Sequence, residues 1–444
     1  MKRRLIFGFV GVVLAVNLFI GASVYSSSTD TSSNSEKDSV YPNMKLFSEV
    51  MEKVRRDYVD GTNLTYQDLV YGALKGMVNE LDPHSEFLDP DKYKDLQSDT
   101  EGHFGGLGIV IAMKDNYITV VSPMEDTPGF KAGILSGDRI LKINGKSTEN
   151  MSLQDAVKLL RGDPDTPVTV GIMRPSSGVT KDYTLTRAVI NVDMVKDING
   201  KKEFPLGENK IGYIRITQFG EKTSDDLETA LNKLKDQGMQ ALIIDLRWNP
   251  GGLLDQAVEV CEKFLPRGQL IVSTEGRNAA QDSKHRAAGR GDELHGMPIV
   301  VLVNLGSASA SEIVSGCLQD LHRAIILGEK TFGKGSVQSI IPLDDGSALR
   351  LTTAKYYTPS HKVIHQVGIT PNIIVPTTDQ EDRDIRLQLA PGGLDSLDPA
   401  EREKIKAAHD PQLERANDLL KGIMLYTDRS NGQFSDKMAA NLKQ

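Results

Sequence analysis

Apolar residues recur along this chain in patterns that change twice. Over positions 41–99 they lie at helical spacing, as Leu46 and Val50 do, which predicts an N-terminal helical segment. Over 100–190, short apolar runs are separated by glycine and asparagine turns, a pattern typical of strands. From position 210 onward, continuous apolar runs alternate with amphipathic stretches. Such runs predict buried strands between helices, and therefore an α/β layer.

These changes in pattern divide the chain into five parts. The predicted parts are a signal peptide or membrane anchor with a Ser-rich tether (1–40), a helical segment (41–99), a β-rich domain (100–190), an α/β core (191–377) and a charged helical C-terminal segment (378–444).

The N-terminus carries an export signal or an anchor. Lys2-Arg3-Arg4 precedes the apolar stretch 5–22, whose length fits either a cleaved signal peptide or an uncleaved helix. Basic residues before such a stretch keep that end on the cytoplasmic side. We therefore expect the rest of the chain to be exported to the periplasm or another extracytoplasmic space. An uncleaved helix would anchor it to the inner membrane.

Composition excludes several other classes of protein. The 444 residues have room for about three domains, and the net charge of −8 argues against a nucleic-acid partner. Two cysteines, Cys261 and Cys317, cannot form a disulfide framework or a zinc cluster. Both lie on apolar helical stripes, so we expect them to be buried. No metal site is predicted.

Ser309 lies at a corner where a predicted strand, 299–303, turns into a helix. Ser309-Ala-Ser-Glu312 fits a capping box, so one interpretation is that Ser309 only caps that helix. The same corner also exposes a hydroxyl beside free backbone amides, which is the environment that a tetrahedral oxyanion needs. Asn249-Pro-Gly-Gly252 follows another predicted strand, so it should lie at the same sheet edge.

Lys334 lies 25 residues after Ser309. The surrounding sequence, 328–335, nearly fits a phosphate-binding loop, but Gly335 replaces the metal-binding hydroxyl and a strand is predicted where a helix is required. A lysine that is shielded from water can instead lose its charge and accept a serine proton. The pair therefore predicts a serine hydrolase that needs no histidine.

Residues 100–190 resemble a PDZ domain in several separate motifs. These are the Gly106-Leu107-Gly108-Ile109 loop, the Ala132-Gly-Ile-Leu-x-Gly-Asp segment and the Ile143-Asn-Gly turn. The resemblance implies a groove between a strand and a helix that binds a peptide C-terminus as an added strand. The backbone amides of Gly106, Leu107, Gly108 and Ile109 would hold its carboxylate.

Nearly the whole chain after residue 41 resembles the C-terminal processing peptidases, or tail-specific proteases. This resemblance implies an α/β core of crotonase/ClpP-like type, built from ββα units, and no cofactor. It makes Ser309 the nucleophile, Lys334 the general base, Gln338 the residue that positions the lysine, and Gly252 and Ala310 the oxyanion-hole amides. If Lys334 and Gln338 share a strand, both side chains face the same way.

The expected function is cleavage of proteins with exposed or unfolded C-termini. Arg161, at the end of the groove helix, could link groove occupancy to the core, or it could be a solvated helix-end cation. The family resemblance also suggests a homodimer formed through the terminal helices. Two other functions stay open: a catalytically silent PDZ scaffold and a crotonase-like acyl-CoA enzyme.

Overall fold

The computed structural model describes residues 39–61, 64–124, 127–135, 137–175, 177–289, 294, 296–389, 394 and 397–430. Most of the predicted signal peptide or anchor lies outside these residues. Within the described part, no helix is both long and apolar enough to span a bilayer. The chain packs as two compact units that divide between Phe87 and Leu88.

The first unit confirms the predicted N-terminal helices. Helix α1 (Val40–Asp57) and helix α2 (Tyr66–Asn79) are followed by a short strand, β1 (Glu86–Leu88), which runs through the division. Thr65 and Asp68 form a capping box at the start of α2, which satisfies two amides that would otherwise lack acceptors.

Helix α1 exposes an apolar face. Val40, Met44, Phe47 and Val54 follow one another at intervals of four, three and seven residues, and all four side chains are exposed. This is the spacing at which one side of a helix packs against another helix.

The second unit begins with helix α3 (Pro90–Glu101). Asp89 caps its first turn by accepting a hydrogen bond from the Lys92 amide, and Pro90 occupies the first helical position. The helix ends at Gly102, whose φ of 72° is left-handed, as glycine tolerates best.

A β-rich domain follows α3 and confirms the predicted strands and turns. Its elements are β2 (His103–Gly106), β3 (Ile109–Lys114), β4 (Tyr117–Pro123), α4 (Pro128–Lys131), β5 (Arg139–Ile143), β6 (Lys146–Ser147), α5 (Leu153–Leu160), β7 (Pro167–Arg174), β8 (Val179–Thr186) and β9 (Ala188–Asn191). The main sheet has the order β3-β4-β5-β7-β8, with β6 paired to β5, while β2 pairs with β9.

The predicted α/β layer is a mostly parallel sheet with helices between its strands. Its elements are β10 (Val195–Lys196), β11 (Ile211–Ile216), α6 (Thr223–Asp236), β12 (Ala241–Asp245), α7 (Leu254–Glu262), β15 (Ile299–Val303), α8 (Ala310–Asp320), β16 (Ile325–Gly328) and β19 (Ile373–Ile374). The strand order is β10-β11-β12-β15-β16-β19, and only the pairing of β10 with β11 is antiparallel in this described sheet. Side chains from alternate positions enter two separate cores, one on each face. Cys261 and Cys317 lie buried as free thiols in the larger core, as expected.

A second sheet was not predicted, apart from one of its strands. Strands β13 (Leu270–Gly276), β14 (Ser283–Arg286), β17 (Ser336–Pro342) and β18 (Ala348–Tyr357) pair in antiparallel fashion. The strand β17 that follows Gly335 was expected, and it lies where a phosphate-binding loop would require a helix.

The C-terminal segment is helical, as expected. It contains α9 (Asp379–Leu389), α10 (Pro399–Lys406) and α11 (Pro411–Ser430). Ala416 and Leu420 of α11 are buried in the smaller core, against the face of the parallel sheet opposite α6, α7 and α8.

Candidate active site

Ser309 occupies a strained corner between β15 and α8. Its φ and ψ are 55° and −114°, a combination that costs a residue with a side chain about 1–3 kcal/mol and persists only where the surroundings impose it. The residue is 8% exposed. The predicted strand–turn–helix corner is therefore confirmed, and the backbone strain falls on the predicted nucleophile.

The Ser309 corner and the glycine turn lie at the same sheet edge, as predicted. Ala308 donates its amide hydrogen to the Asn249 carbonyl at 3.0 Å, and Ser311 Oγ donates to the same oxygen at 3.0 Å. Asn249 in turn donates its side-chain amide to the Ile216 carbonyl at 2.8 Å. These bonds hold residues 249–252 against the start of α8. The segment is called the oxyanion loop hereafter, because it contains Gly252, whose amide is predicted to belong to an oxyanion hole.

Glycines permit this close approach. A Cβ on Gly251 would lie 2.7 Å from Ser309 Cβ and 2.9 Å from the Ala310 nitrogen. A Cβ on Gly252 would lie 2.1 Å from the Phe219 carbonyl oxygen. Among the described residues, no group accepts a hydrogen bond from the amides of Gly252 or Ala310. Both amides can therefore donate to an oxyanion.

Glu312 connects the Ser309 corner to the Lys334 loop. Its fully buried carboxylate accepts hydrogen bonds from the amides of Ser309 (2.9 Å), Gly333 (2.7 Å) and Lys334 (2.8 Å), and from Thr331 Oγ1 (2.5 Å). Burial raises the pKa of Glu312, and these four hydrogen bonds act to lower it. The sequence indicated only the cap to Ser309.

Lys334 lies in the loop between β16 and β17 and is half-buried. Burial lowers the pKa of its ammonium group, the nearby Arg350 cation lowers it further, and the Glu312 carboxylate opposes both. Within the described residues, its Nζ forms neither an ion pair nor a hydrogen bond. A lowered pKa favours the neutral amine, which is the form of lysine that can accept a proton.

Gln338 lies near Lys334, but not in the way the strand argument assumed. β17 begins at Ser336, two residues after Lys334, and its register with β18 shifts between Val337 and Gln338. Alternation along one strand therefore does not relate the two side chains. The Gln338 amide instead donates to Ser336 Oγ at 2.8 Å and Thr352 Oγ1 at 3.4 Å.

A cleft of about 590 Å³ brings most of the predicted site residues together. Ser309, Lys334, Gln338 and Gly252 all line it, with Ala310 directly after Ser309. Its remaining walls come from Tyr93, Leu96, Gln97, Thr100, Glu101, Gln218, Phe219, Glu221, Pro250, Leu253, Leu254, Asp255, Val337, Ile340, Arg350 and Tyr356. Burial and the neighbouring Asp255 raise the pKa of Tyr356 to about 12.

The Gly106–Ile109 loop precedes an open strand edge. β3 pairs with β4 on one side and is the edge strand of the described sheet, and α5 packs against it. Gly108 has a left-handed φ of 66° and Leu107 is buried. The carbonyls of Leu107 and Gly108 accept hydrogen bonds from residues 124–129, which fixes the loop at the end of this edge.

Arg161 is partly exposed and has two partners. It ends α5, its Nη1 lies 3.0 Å from Asp99 Oδ1, and its guanidinium lies 4.4 Å from the centroid of the Phe104 ring. Asp99 belongs to α3, and other residues of α3 line the Ser309 cleft.

Comparison with known proteins identifies both domains. Residues 210–375 match peptidase family S41, and residues 119–174 match the PDZ domain. Among solved structures, the chain resembles a photosystem II D1 C-terminal processing protease with 31% identity and a TM-score of 0.43, covering 78% of this chain and 97% of that one.

Two relatives span most of the chain. It is 45% identical over 379 residues to the carboxy-terminal-processing protease of Bartonella bacilliformis, covering 84% of this chain and 83% of that protein. It is 30% identical over 437 residues to the carboxy-terminal processing protease CtpB of Bacillus subtilis, covering 98% and 86%. The chain therefore belongs to the carboxyl-terminal processing proteases of peptidase family S41, which are serine-type peptidases, and it carries a PDZ domain.

Proposed function

We propose that this protease cleaves peptide bonds by a Ser-Lys mechanism, with Ser309 as the nucleophile and Lys334 as the general base. Neutral Lys334 Nζ takes the Ser309 Oγ proton, and Oγ attacks the scissile carbonyl carbon. The amides of Gly252 and Ala310 donate to the resulting oxyanion. Lys334 returns the proton to the leaving amine as the C–N bond breaks, which leaves an acyl-enzyme.

In deacylation, water replaces Ser309 as the nucleophile and Lys334 again acts first as base and then as acid. Water gives a proton to Lys334 Nζ and attacks the acyl carbon, the ester bond to Ser309 breaks, and Oγ regains the proton. Gln338, whose amide is held by Ser336 and Thr352, would contact the lysine or the substrate from the same cleft wall.

One observation carries this proposal. Ser309 and Lys334 line the same cleft, and among the described residues no carboxylate forms an ion pair with the lysine. The Glu312 carboxylate accepts a hydrogen bond from the Lys334 backbone amide and not from its ammonium group. The amine is therefore left to act on Ser309.

The substrates that we propose are proteins with exposed or unfolded C-termini. A tail would add as a strand to the β3 edge, with its carboxylate on the amides of Gly106, Leu107, Gly108 and Ile109. Arg161, paired with Asp99 of α3, would couple groove occupancy to the cleft. Arg161→Gln tests this coupling, because it should change activation by added tail peptide while leaving peptide affinity intact.

Further proposals concern architecture and location. We propose the domain limits 1–40, 41–99, 100–190, 191–377 and 378–444, and a crotonase/ClpP-like core. We also propose export to the periplasm or another extracytoplasmic space, with the N-terminal segment either cleaved as a signal peptide or kept as an anchor in the inner membrane. The exposed apolar face of α1 supports a homodimer that pairs terminal helices. Sedimentation of the protein with and without Phe47→Glu would test the dimer.

The cleavage proposal is tested by digestion of a disordered protein such as casein. Ser309→Ala and Lys334→Ala should both abolish digestion while retaining tail-peptide binding. Lys330→Ala is a matched control, because this exposed lysine belongs to the same loop but does not line the cleft. Unchanged digestion by Ser309→Ala and by Lys334→Ala would refute the proposed mechanism.

A further inference from the structure

Two residues directly before the oxyanion loop are held by the C-terminal segment. Arg247 and Trp248 follow β12, and the loop that supplies the Gly252 amide begins at the next residue. Their side-chain partners include Asp382 on α9 and Asp410 at the start of α11. The contacts span 134 and 163 residues of sequence respectively.

Trp248 has a strained backbone with specific restraints. Its φ of 56° is left-handed, which costs a residue with a Cβ about 1–2 kcal/mol. Its amide donates to Asn304 Oδ1 at 2.9 Å, and its indole Nε1 donates to Asp382 Oδ1 at 2.9 Å. Strain of this kind persists only while the surroundings hold it, and the indole bond is one of the two hydrogen bonds that Trp248 forms within the described residues.

Arg247 is held on two sides. Its guanidinium, 1% exposed, donates to Asp245 through Nε (3.0 Å) and Nη2 (2.7 Å), and to Asp410 through Nη1 (2.9 Å) and Nη2 (2.8 Å). Tyr213 donates to the same Asp245 carboxylate at 2.7 Å. Paired charge-assisted bonds of this type fix direction as well as distance.

The oxyanion loop has little freedom to absorb a shift. Gly251 approaches Ser309 and Ala310 so closely that a single added carbon would collide with both. A displacement of Trp248 would therefore change the direction of the Gly252 amide relative to Ser309. Catalysis is sensitive to such changes, since misplacement by about 1 Å can cost roughly 100-fold in rate.

We propose that the C-terminal helical segment is part of the catalytic apparatus, in which Asp382 and Asp410 are positioning residues for the oxyanion loop. They touch neither substrate nor the reacting atoms, and they act through Trp248 and Arg247. The inference rests on the proposed role of the Gly252 amide. It implies that docking of α9 and α11 sets the rate of the chemical step.

The test uses the full-length protein with Asp382→Ala, Asp382→Asn and Trp248→Phe. Asn keeps an oxygen that can accept the indole hydrogen bond, so it should restore activity. We expect Asp382→Ala and Trp248→Phe each to lower kcat about tenfold, less than the roughly 100- to 1,000-fold loss on removing an oxyanion donor. KM should stay within about twofold, and the double variant should be no slower than either single one.

A second measurement separates positioning from folding. A peptide aldehyde forms a tetrahedral adduct with the nucleophile and so uses the same oxyanion-hole amides. Its inhibition constant should therefore rise about tenfold in Asp382→Ala and in Trp248→Phe, in parallel with the fall in kcat. Asp379→Ala is the matched control, because this exposed residue lies on the same helix. If kcat and aldehyde affinity per folded molecule match the wild type in Asp382→Ala and Trp248→Phe, the inference is wrong.

Ser309→Ala, assayed in parallel, distinguishes failure of the positioning role from failure of the proposed catalytic mechanism. If Ser309→Ala is inactive while the Asp382 and Trp248 variants match the wild type, only the positioning role fails. If Ser309→Ala still cleaves, the proposed function fails, and the positioning role fails with it.

Discussion

Replacing Glu312 by glutamine should weaken the link between the Ser309 corner and the Lys334 loop. The carboxylate accepts hydrogen bonds from Ser309 on one side and from Thr331, Gly333 and Lys334 on the other. Glutamine has nearly the same shape, but one of its two terminal atoms is a donor. Two N–H or O–H groups would then point at an NH₂ group, and neither would find an acceptor.

The size of the effect follows from those lost bonds. A buried donor left without an acceptor costs about 1–3 kcal/mol, so two of them cost about 2–6 kcal/mol. Removal of a buried charge offsets part of this, because burial raises the pKa of Glu312. We expect the free energy of unfolding to fall by about 3 kcal/mol. A shift of the Lys334 loop by about 1 Å would lower kcat roughly 100-fold.

The assay combines urea unfolding with cleavage of a fluorogenic peptide, measured where each variant is fully folded. Thr331→Ser is the control, because it keeps the hydroxyl that donates to Glu312 and should retain kcat within about twofold. Thr331→Val loses this hydroxyl, so its stability and its kcat should both lie between those of Thr331→Ser and Glu312→Gln. If Glu312→Gln is less stable than the wild type but has the same kcat, Glu312 does not determine the position of Lys334 relative to Ser309.

Two further results are expected. In the proposed mechanism only the neutral amine of Lys334 accepts the Ser309 proton, so kcat/KM should fall as pH drops through the pKa of Lys334. Burial and Arg350 lower this pKa. In a pH titration of kcat/KM, the midpoint for Arg350→Gln should therefore move to higher pH. Gly251→Ala should lower kcat roughly 100-fold, because its Cβ would lie 2.7 Å from Ser309 Cβ. Gly268 has a φ of 90° but open space around it, so Gly268→Ala should cost about 1–2 kcal/mol of stability in urea unfolding and retain kcat. Equal kcat in the two glycine variants would contradict the importance of the close contact between Gly251 and Ser309.

The sequence predicted those parts of the fold that short-range patterns determine. The strand–turn–helix corner at Ser309 and the turn at 249–252 both follow continuous apolar strands, and parallel strands end at a common edge. The β-rich domain was recognisable because its turns carry glycine or Asn-Gly at positions with positive φ, as at Asn144 and Gly145.

Contacts between distant segments could not be predicted in this way. A capping box accounts for one bond of Glu312, whereas its other three donors lie 19 to 22 residues later in a loop without periodicity. The pairing of Arg247 with Asp410 joins charged residues that would also suit a solvated surface. The second sheet escaped prediction because most residues of a strand such as β18 are only partly buried, so its apolar alternation is weak.

The side-chain direction of Gln338 could not be predicted from the sequence for a different reason. Period-two alternation assumes a regular strand, but the register of β17 shifts beside this residue. An irregularity of this kind changes the face on which following side chains lie. No simple pattern in the sequence marks its position.

The most direct test of the central claim is mass spectrometry of the protein after treatment with a fluorophosphonate. This reagent phosphonylates a serine that a neighbouring base activates. The proposed mechanism predicts one adduct, on the peptide that contains Ser309, and a labelling rate at least roughly 100-fold lower in Lys334→Ala. An adduct on a different residue, or equal labelling of Ser309 in Lys334→Ala, would contradict the Ser-Lys mechanism.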